Sequence, residues 1–196
     1  MGNNYNETIS NCIADVIVNG DGVLGGLAGS NNDGTIESSF ATGNVTGTGG
    51  EIGGLVGSDA GSNIINSYAT GSVSGNYGVG GLVGDSWGSA IDNSYAKGTV
   101  ISINEEYSDG FGGLVGFNNA GTINNSYAVG SVNATGEFVG GLVGNNGGEI
   151  PGEIYTSYYD SETTGQLDTG KGSPKTPLKC KPLLLLLTGI LTKPGA

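Results

Sequence analysis

The chain has 196 residues, of which 41 are glycine and only 12% are charged, with one Trp, one Met and four Phe; bulky side chains are too few for one compact core. Its formal charge is −12, and all 18 carboxylates lie at or before Asp168, a stretch whose single cation is Lys97. So acidic a surface repels phosphate backbones and anionic headgroups, which argues against nucleic acid or a membrane surface as partner and suits an extracellular setting.

In chain order, Met1-Gly2-Asn3-Asn4 has neither a basic region nor an apolar stretch, so no signal peptide is read there. The export signal of a surface protein is then expected elsewhere, and the chain is expected to be a fragment. Thr8-Ile9-Ser10-Asn11-Cys12-Ile13-Ala14 already parallels Thr122-Ile123-Asn124-Asn125-Ser126-Tyr127-Ala128, so the chain begins inside a repeat. Cys12 stands where other copies have Ser and Cys180 lies in a tail of different composition, so no disulfide is expected.

From Gly25 onward one pentapeptide organises the sequence. Gly-Gly-Leu-Val-Gly occurs at 53–57, 80–84, 112–116 and 140–144, with the variant Gly-Gly-Leu-Ala-Gly at 25–29. The leucines Leu27, Leu55, Leu82, Leu114 and Leu142 are 28, 27, 32 and 28 residues apart, the period of one solenoid coil. Each unit runs through that pentapeptide, then an Ile-x-Asn-Ser-Tyr-Ala segment, then a Gly-x-Val-x-Gly segment such as Gly71–Gly75. Three short β-favouring runs between Gly and Asn turns predict an all-β, right-handed parallel β-helix of about five three-stranded coils. Stacked at about 4.8 Å per coil, they make a rod roughly 25 Å long. Residues 1–170 are read as the repeat array and 171–196 as a linker and tail.

Variation between copies bears on which side chains face inward. The position after the Ile holds Glu37, Ile65, Asp92 and Asn124, and the one five further on holds Thr42, Thr70, Lys97 and Val129, so both are expected to face solvent. Five is an odd number of steps, so strict alternation must slip once. One placement puts the slip at Asn66, Asn93 and Asn125, in a left-handed corner that Asn tolerates. Ile64, Ile91 and Ile123 are then inside, Ser67, Ser94 and Ser126 and the alanines pack after the corner, and Phe40, Tyr68, Tyr95 and Tyr127 stack along the rod. The other placement turns the Asn ladder and the rings inward and slips later.

The spacing of 32 comes from extra residues at 103–109, Ile-Asn-Glu-Glu-Tyr-Ser-Asp, which are expected to project as a loop, where binding is most readily grafted. Glu105, Glu106 and Asp109 are the acids there, and a solvated loop is the stronger reading than a glycosidase-like pair. With no His, no Arg and no Cys pair at ligand spacing, triads, zinc sites and histidine bases are excluded. No glycine-rich stretch ends in Gly-Lys-Ser or Gly-Lys-Thr, so phosphate-loop readings fail. No catalytic, cofactor-binding or metal residues are therefore assigned. No cofactor is expected beyond incidental calcium on an acidic surface. Asn6, Asn44, Asn124 and Asn133 each begin a glycosylation triplet, of the kind an Asn- and Thr-rich chain forms by chance.

Gly-Gly-Leu-Val-Gly followed by Ile-x-Asn-Ser-Tyr-Ala-x-Gly resembles the GLUG motif, a repeat of bacterial and archaeal surface proteins, over about Thr8 to Gly170. Ser157-Tyr158-Tyr159-Asp160-Ser161-Glu162-Thr163-Thr164-Gly165 looks like the end of such an array. The resemblance implies a noncatalytic β-helical part of large secreted or surface-anchored proteins, including adhesins and ancillary regions of immunoglobulin-A-cleaving peptidases, and supplies no catalytic residues. The expected role is a rigid spacer or binding rod for a surface partner, glycan or protein. The alternative is a fragment of a β-helical polysaccharide-active enzyme, which a repeat region with Lys97 as its one cation serves poorly. Ice binding needs an unbroken Thr ladder, and Thr42 and Thr70 give way to Lys97 and Val129.

After Thr176 the composition changes abruptly: five of the six lysines lie beyond Asp168, and Leu183–Leu187 is a run of leucine. The Pro182 to Leu191 stretch is too short to span a bilayer, so no membrane insertion is expected of it. The tail reads as frameshifted. In proteins of the resembled kind an array end is followed by something like Gly-Lys-Thr-Thr-Ala-Glu-Met. Codons for Lys179-Cys180 permit only Met or Val in the frame one base earlier, and Met is what the resemblance expects there.

Overall fold

The computed structural model describes residues 2–104, 109–167 and 171–176. Glu105, Glu106, the tail from Pro177 and Cys180 lie outside the described residues. The chain is a β-solenoid of about five turns built of parallel sheets. The three pieces of each unit are all present, and corners divide two of them, so a complete coil contains five short strands.

In the coil that begins at the second Gly-Gly-Leu-Val-Gly these are Val56–Ala60, Asn63–Ile65, Tyr68–Ala69, Val73–Gly75 and Tyr77–Gly80. Each pairs in parallel with its counterpart in the next coil: Val83–Trp87, Ala90–Asp92, Tyr95–Ala96, Val100–Ser102 and Asp109–Gly112. Register is like to like, with Ile64 on Ile91, Tyr68 on Tyr95 and Val73 on Val100. Asn3–Tyr5 extends the first of these sheets upstream of Thr8. Ser173–Lys175 adds a strand beyond Tyr158–Asp160, so the segment read as a linker contributes to the wall.

The leucines form one column. The backbone N–H of Leu27 donates to Leu55, Leu55 to Leu82, Leu82 to Leu114 and Leu114 to Leu142, at 2.8–2.9 Å between nitrogen and carbonyl oxygen. Leu55, Leu82, Leu114 and Leu142 are fully buried with Ile64, Ile91, Ile123 and the alanines Ala69, Ala96 and Ala128, while Leu27 is partly buried at one end. A second apolar cluster holds Val45, Val73 and Val100 against Ile52, Val79 and Phe111. The pentapeptide glycines follow from this packing. A Cβ at Gly54 would lie 2.8 Å from the Cβ of Ala69, and one at Gly81 2.8 Å from that of Ala96, closer than atoms can approach. The coil can thus be this thin only with glycine facing alanine across it.

Asn66, Asn93 and Asn125 have φ of 52°, 50° and 48°, so the strand slips at the left-handed Asn corner. Ser38 and Thr156 take the same conformation in flanking coils. Past the corner, buried serines form a ladder. The N–H of Ser39 donates to Ser67 Oγ, Ser67 to Ser94, Ser94 to Ser126 and Ser126 to Ser157, at 3.1–3.2 Å. Each hydroxyl in turn donates to the carbonyl two residues before it, as Ser94 does to Asp92 at 2.8 Å. Cys12 stands at the end of this ladder as a free thiol, its N–H donating to Ser39 Oγ.

The aromatic rings stack on the outer face of the same wall. Centroids are 4.5 Å apart for Phe40 and Tyr68, 4.7 Å for Tyr68 and Tyr95 and 5.0 Å for Tyr95 and Tyr127, all within 11° of parallel. Their alanine neighbours belong to the inner cluster and the rings to a separate one. At the C-terminal end Tyr159 takes the alanine position instead, is fully buried, and covers Gly141. The four-residue helix Ser161–Thr164 follows, capped by the Asp160 carboxylate, which accepts from the N–H groups of Glu162 and Thr163.

Candidate functional site

Of the insertion acids, only Asp109 is among the described residues. It opens the strand Asp109–Gly112 in register with Tyr77 of the coil before. The Tyr77 ring tilts at 41° against Phe117, 4.8 Å between centroids. Phe117 is in register with Asp85, whose carboxylate accepts a hydrogen bond from Asn119 Nδ2 at 3.2 Å. Glu51, in a left-handed conformation at φ 58°, completes an acidic patch around the tyrosine.

The charges in this patch disturb one another. Burial, and then the negative charge of Glu51, raise Asp85 to about 6, against the opposing hydrogen bonds from Asn119 and the Ser86 N–H. Burial raises Asp109. Tyr77 is raised by burial first and then by Asp109, Asp85 and Glu51. Carboxyls raised by burial and by a neighbouring negative charge are features that acid–base sites share with purely structural acidic clusters. Of three grooves in the wall, one lies against Ser102 and Val132–Thr135, one against Ile154, Thr156 and Ser173, and one beside Trp87 and Ile150; the last is lined also by Asn119, the donor to Asp85. Among the described residues no three His, Cys, Asp or Glu side chains converge to hold a metal ion. None of their helices is long and apolar enough to cross a membrane.

A second polar constellation was not read from the sequence. Inside the rod, the sheet containing Val56–Ala60 presents one polar side chain per coil: Asn4, Asn31, Asp59, Ser86 and Asn118, each in register with the next. Asn146 continues this line by accepting from Asn118. Asn4, Asn31, Asp59, Ser86 and Asn118 are all buried. The amides run head to tail: Asn4 Nδ2 donates to Asn31 Oδ1, Asn31 Nδ2 to Asp59 Oδ1, and Asn118 Nδ2 to Asn146 Oδ1, each at 2.8 Å. Ser62 Oγ also donates to Asp59 Oδ1. Burial pushes the Asp59 carboxyl up to about 6, in spite of the hydrogen bonds from Ser62 and Asn31 that oppose the rise; Ser89 Oγ donates to the Asp59 backbone carbonyl at 2.9 Å. The signal was available, since the second residue after each pentapeptide is Asn31, Asp59, Ser86, Asn118 or Asn146, always small and polar.

One complete turn, residues 75–101, matches the family model of the GLUG motif. The chain carries the GLUG motif. The turns on either side share its register strand by strand, so the matched segment is one of a stack of like coils. A 44-residue stretch is also 50% identical to a protein of Evansella cellulosilytica described as a Gly-rich membrane protein. That stretch is 22% of this chain and 5% of the other protein's length.

Proposed function

We propose that this GLUG-motif solenoid is a noncatalytic structural module of a secreted or cell-surface protein, a rigid spacer that holds other domains out and takes part in adhesion. The observation that supports it most is the unbroken leucine column, in which every coil bonds to the next through the same atoms. Such a stack transmits load along its axis and gains length by whole coils, which is what a spacer requires. The Gly-rich membrane protein of Evansella cellulosilytica, far longer than the match, lends the envelope setting some support. The test is to place two fluorophores at the ends of the rod and remove the coil 75–101. A fall in separation of about 4.8 Å with retained β-sheet circular dichroism is expected. A collapse of the fold, or no change in separation, would count against a modular spacer.

The acidic patch favours one competing reading, a fragment of a polysaccharide-active enzyme with Asp85, its carboxyl raised by burial and by the negative charge of Glu51, as the candidate acid. A broad glycan panel decides between them. Turnover of any polymer that disappears in Asp85→Asn would replace the structural reading.

A further inference from the structure

The head-to-tail amide column breaks at three consecutive levels. Asp59 Oδ2, Ser86 Oγ and Asn118 Oδ1 are buried and meet no hydrogen-bonding group among the described residues. They occupy adjacent coils, Asp59 in register with Ser86 and Ser86 with Asn118. Three such atoms in one interior column are a joint feature, because buried polar groups are otherwise paired and each unpaired one is costly. The bonds around them fix which atoms are left over. Asn31 and Ser62 both donate to Asp59 Oδ1, leaving Oδ2. Asn118 gives its amide N–H groups to Asn146 Oδ1 and the Gly121 carbonyl, leaving Oδ1. Asn118 Oδ1 and Ser86 Oγ both come to within 3.0 Å of the point where a Gly121 Cβ would stand. Ser86 has two side-chain heavy atoms fewer than the asparagines of the same column, so it cannot reach as they do.

We propose that Asp59 Oδ2, Ser86 Oγ and Asn118 Oδ1 form an internal binding site for a single water molecule, at the level of Ser86 in the rod. The proton count selects the occupant. A carboxylate oxygen and an amide oxygen both accept, and Ser86 supplies one proton. The missing partner must therefore donate twice and accept once. One water does this, with two to four polar partners being the usual number for a buried water. Hard divalent cations ask for six or more oxygens, twice what the site offers. The same water accepts from Asp59 if the carboxyl is protonated, so it serves both forms of the acid.

Coils of this chain also show what replaces the water. In the two inner coils whose column residue is Asn, the residue three further on is Gly, Asn31 with Gly34 and Asn118 with Gly121, whereas Ser86 is followed by Ser89 and the end positions Asn4 and Asn146 by Glu7 and Glu149. The double substitution Ser86→Asn with Ser89→Gly copies the neighbouring arrangement and should fill the site. High-resolution diffraction from crystals of the unaltered chain, grown once in sodium and once in rubidium salts, is the test. Expected is one solvent peak at about 2.7–3.0 Å from all three oxygens in both crystals, without anomalous signal. In solution, water magnetic relaxation dispersion should count one fewer long-lived water in the double variant. No peak at the site, a rubidium signal there, or an unchanged water count would each overturn the proposal. Should the double variant fail to fold, the diffraction result still decides.

Discussion

The backbone N–H of Leu82 donates to the carbonyl of Leu114 at 2.8 Å, across a sequence separation of 32 residues, while the flanking leucine pairs make the same bond across 27 and 28. The extra residues of that coil leave the column unaltered, so the interior and not chain length sets the repeat. Leu82→Ala should cost about 2–5 kcal/mol, the range for a buried leucine. Asp92→Ala, on the half-exposed outer face of the Ala90–Asp92 strand, should cost less than about 0.5 kcal/mol. Denaturant melts of the two variants compare the costs directly, and equal values would mean the wall is inverted.

Asn66 holds the corner at φ 52°. Asn66→Gly should be close to neutral, whereas Asn66→Val should lose about 1–2 kcal/mol, because a β-branched side chain meets the following carbonyl in that conformation. Thermal melts of the pair isolate backbone strain from any loss of side-chain contact.

Ser94 accepts from the Ser67 N–H at 3.1 Å and donates to the Asp92 carbonyl at 2.8 Å. Ser94→Ala leaves that buried N–H unanswered and should destabilise by about 1–3 kcal/mol. Ser94→Cys should be milder, since Cys12 occupies the equivalent position with its thiol directed to the Ser10 carbonyl. Urea melts of the two should rank them in that order.

Asp59 gives the rod a dependence on pH. Its carboxyl is raised from 3.8 to about 6 when folded. Below about 3.8 both states are protonated and the group is neutral to stability. Between 3.8 and 6 the folded chain keeps a proton that the unfolded chain has lost, so stability falls as pH rises, and by pH 7 the loss reaches about 3 kcal/mol. The acids nearest in sequence on the elements around it do not share its interior position: Asp33 is exposed beyond Ala28–Asn32, and Asp85 precedes the buried Ser86 on the outer face of its strand. The strand Asn63–Ile65 carries no charge. Asp85, raised likewise to about 6, adds a slope of the same sign in the same window, so Asp59→Asn should reduce the slope without abolishing it and raise stability at pH 7, as read from melts between pH 3 and 8. An unchanged slope would mean that the carboxyl ionises as readily inside as outside.

The leucine column, the inward isoleucines and the Asn corners were legible because the same residue types recur at fixed spacing, and recurrence is what a sequence displays best. The second corner was not, since Asn6, Asp33, Gly61, Gly88 and Ala120 share a left-handed φ but no chemistry. The interior polar column escaped for a different reason. Asn31, Asp59 and Ser86 two residues past a glycine are the composition of an exposed turn, and only coil-on-coil stacking reveals that they are enclosed. The patch around Tyr77 was hidden likewise, because Glu51, Tyr77, Asp85 and Asp109 come from three successive coils and meet only when those coils are superposed.

Glycine against alanine, leucine on leucine and serine on serine make every seam between coils nearly the same seam. For the gene, this means that unequal recombination between neighbouring copies, if it keeps the frame and cuts at equivalent codons, deletes or duplicates a whole coil and leaves the new seam chemically like the old. The length of the rod can therefore change in one genetic event without any core having to be rebuilt. The column of Asn31, Asp59, Ser86 and Asn118 limits that freedom, because a recombinant must still match donors to acceptors from coil to coil.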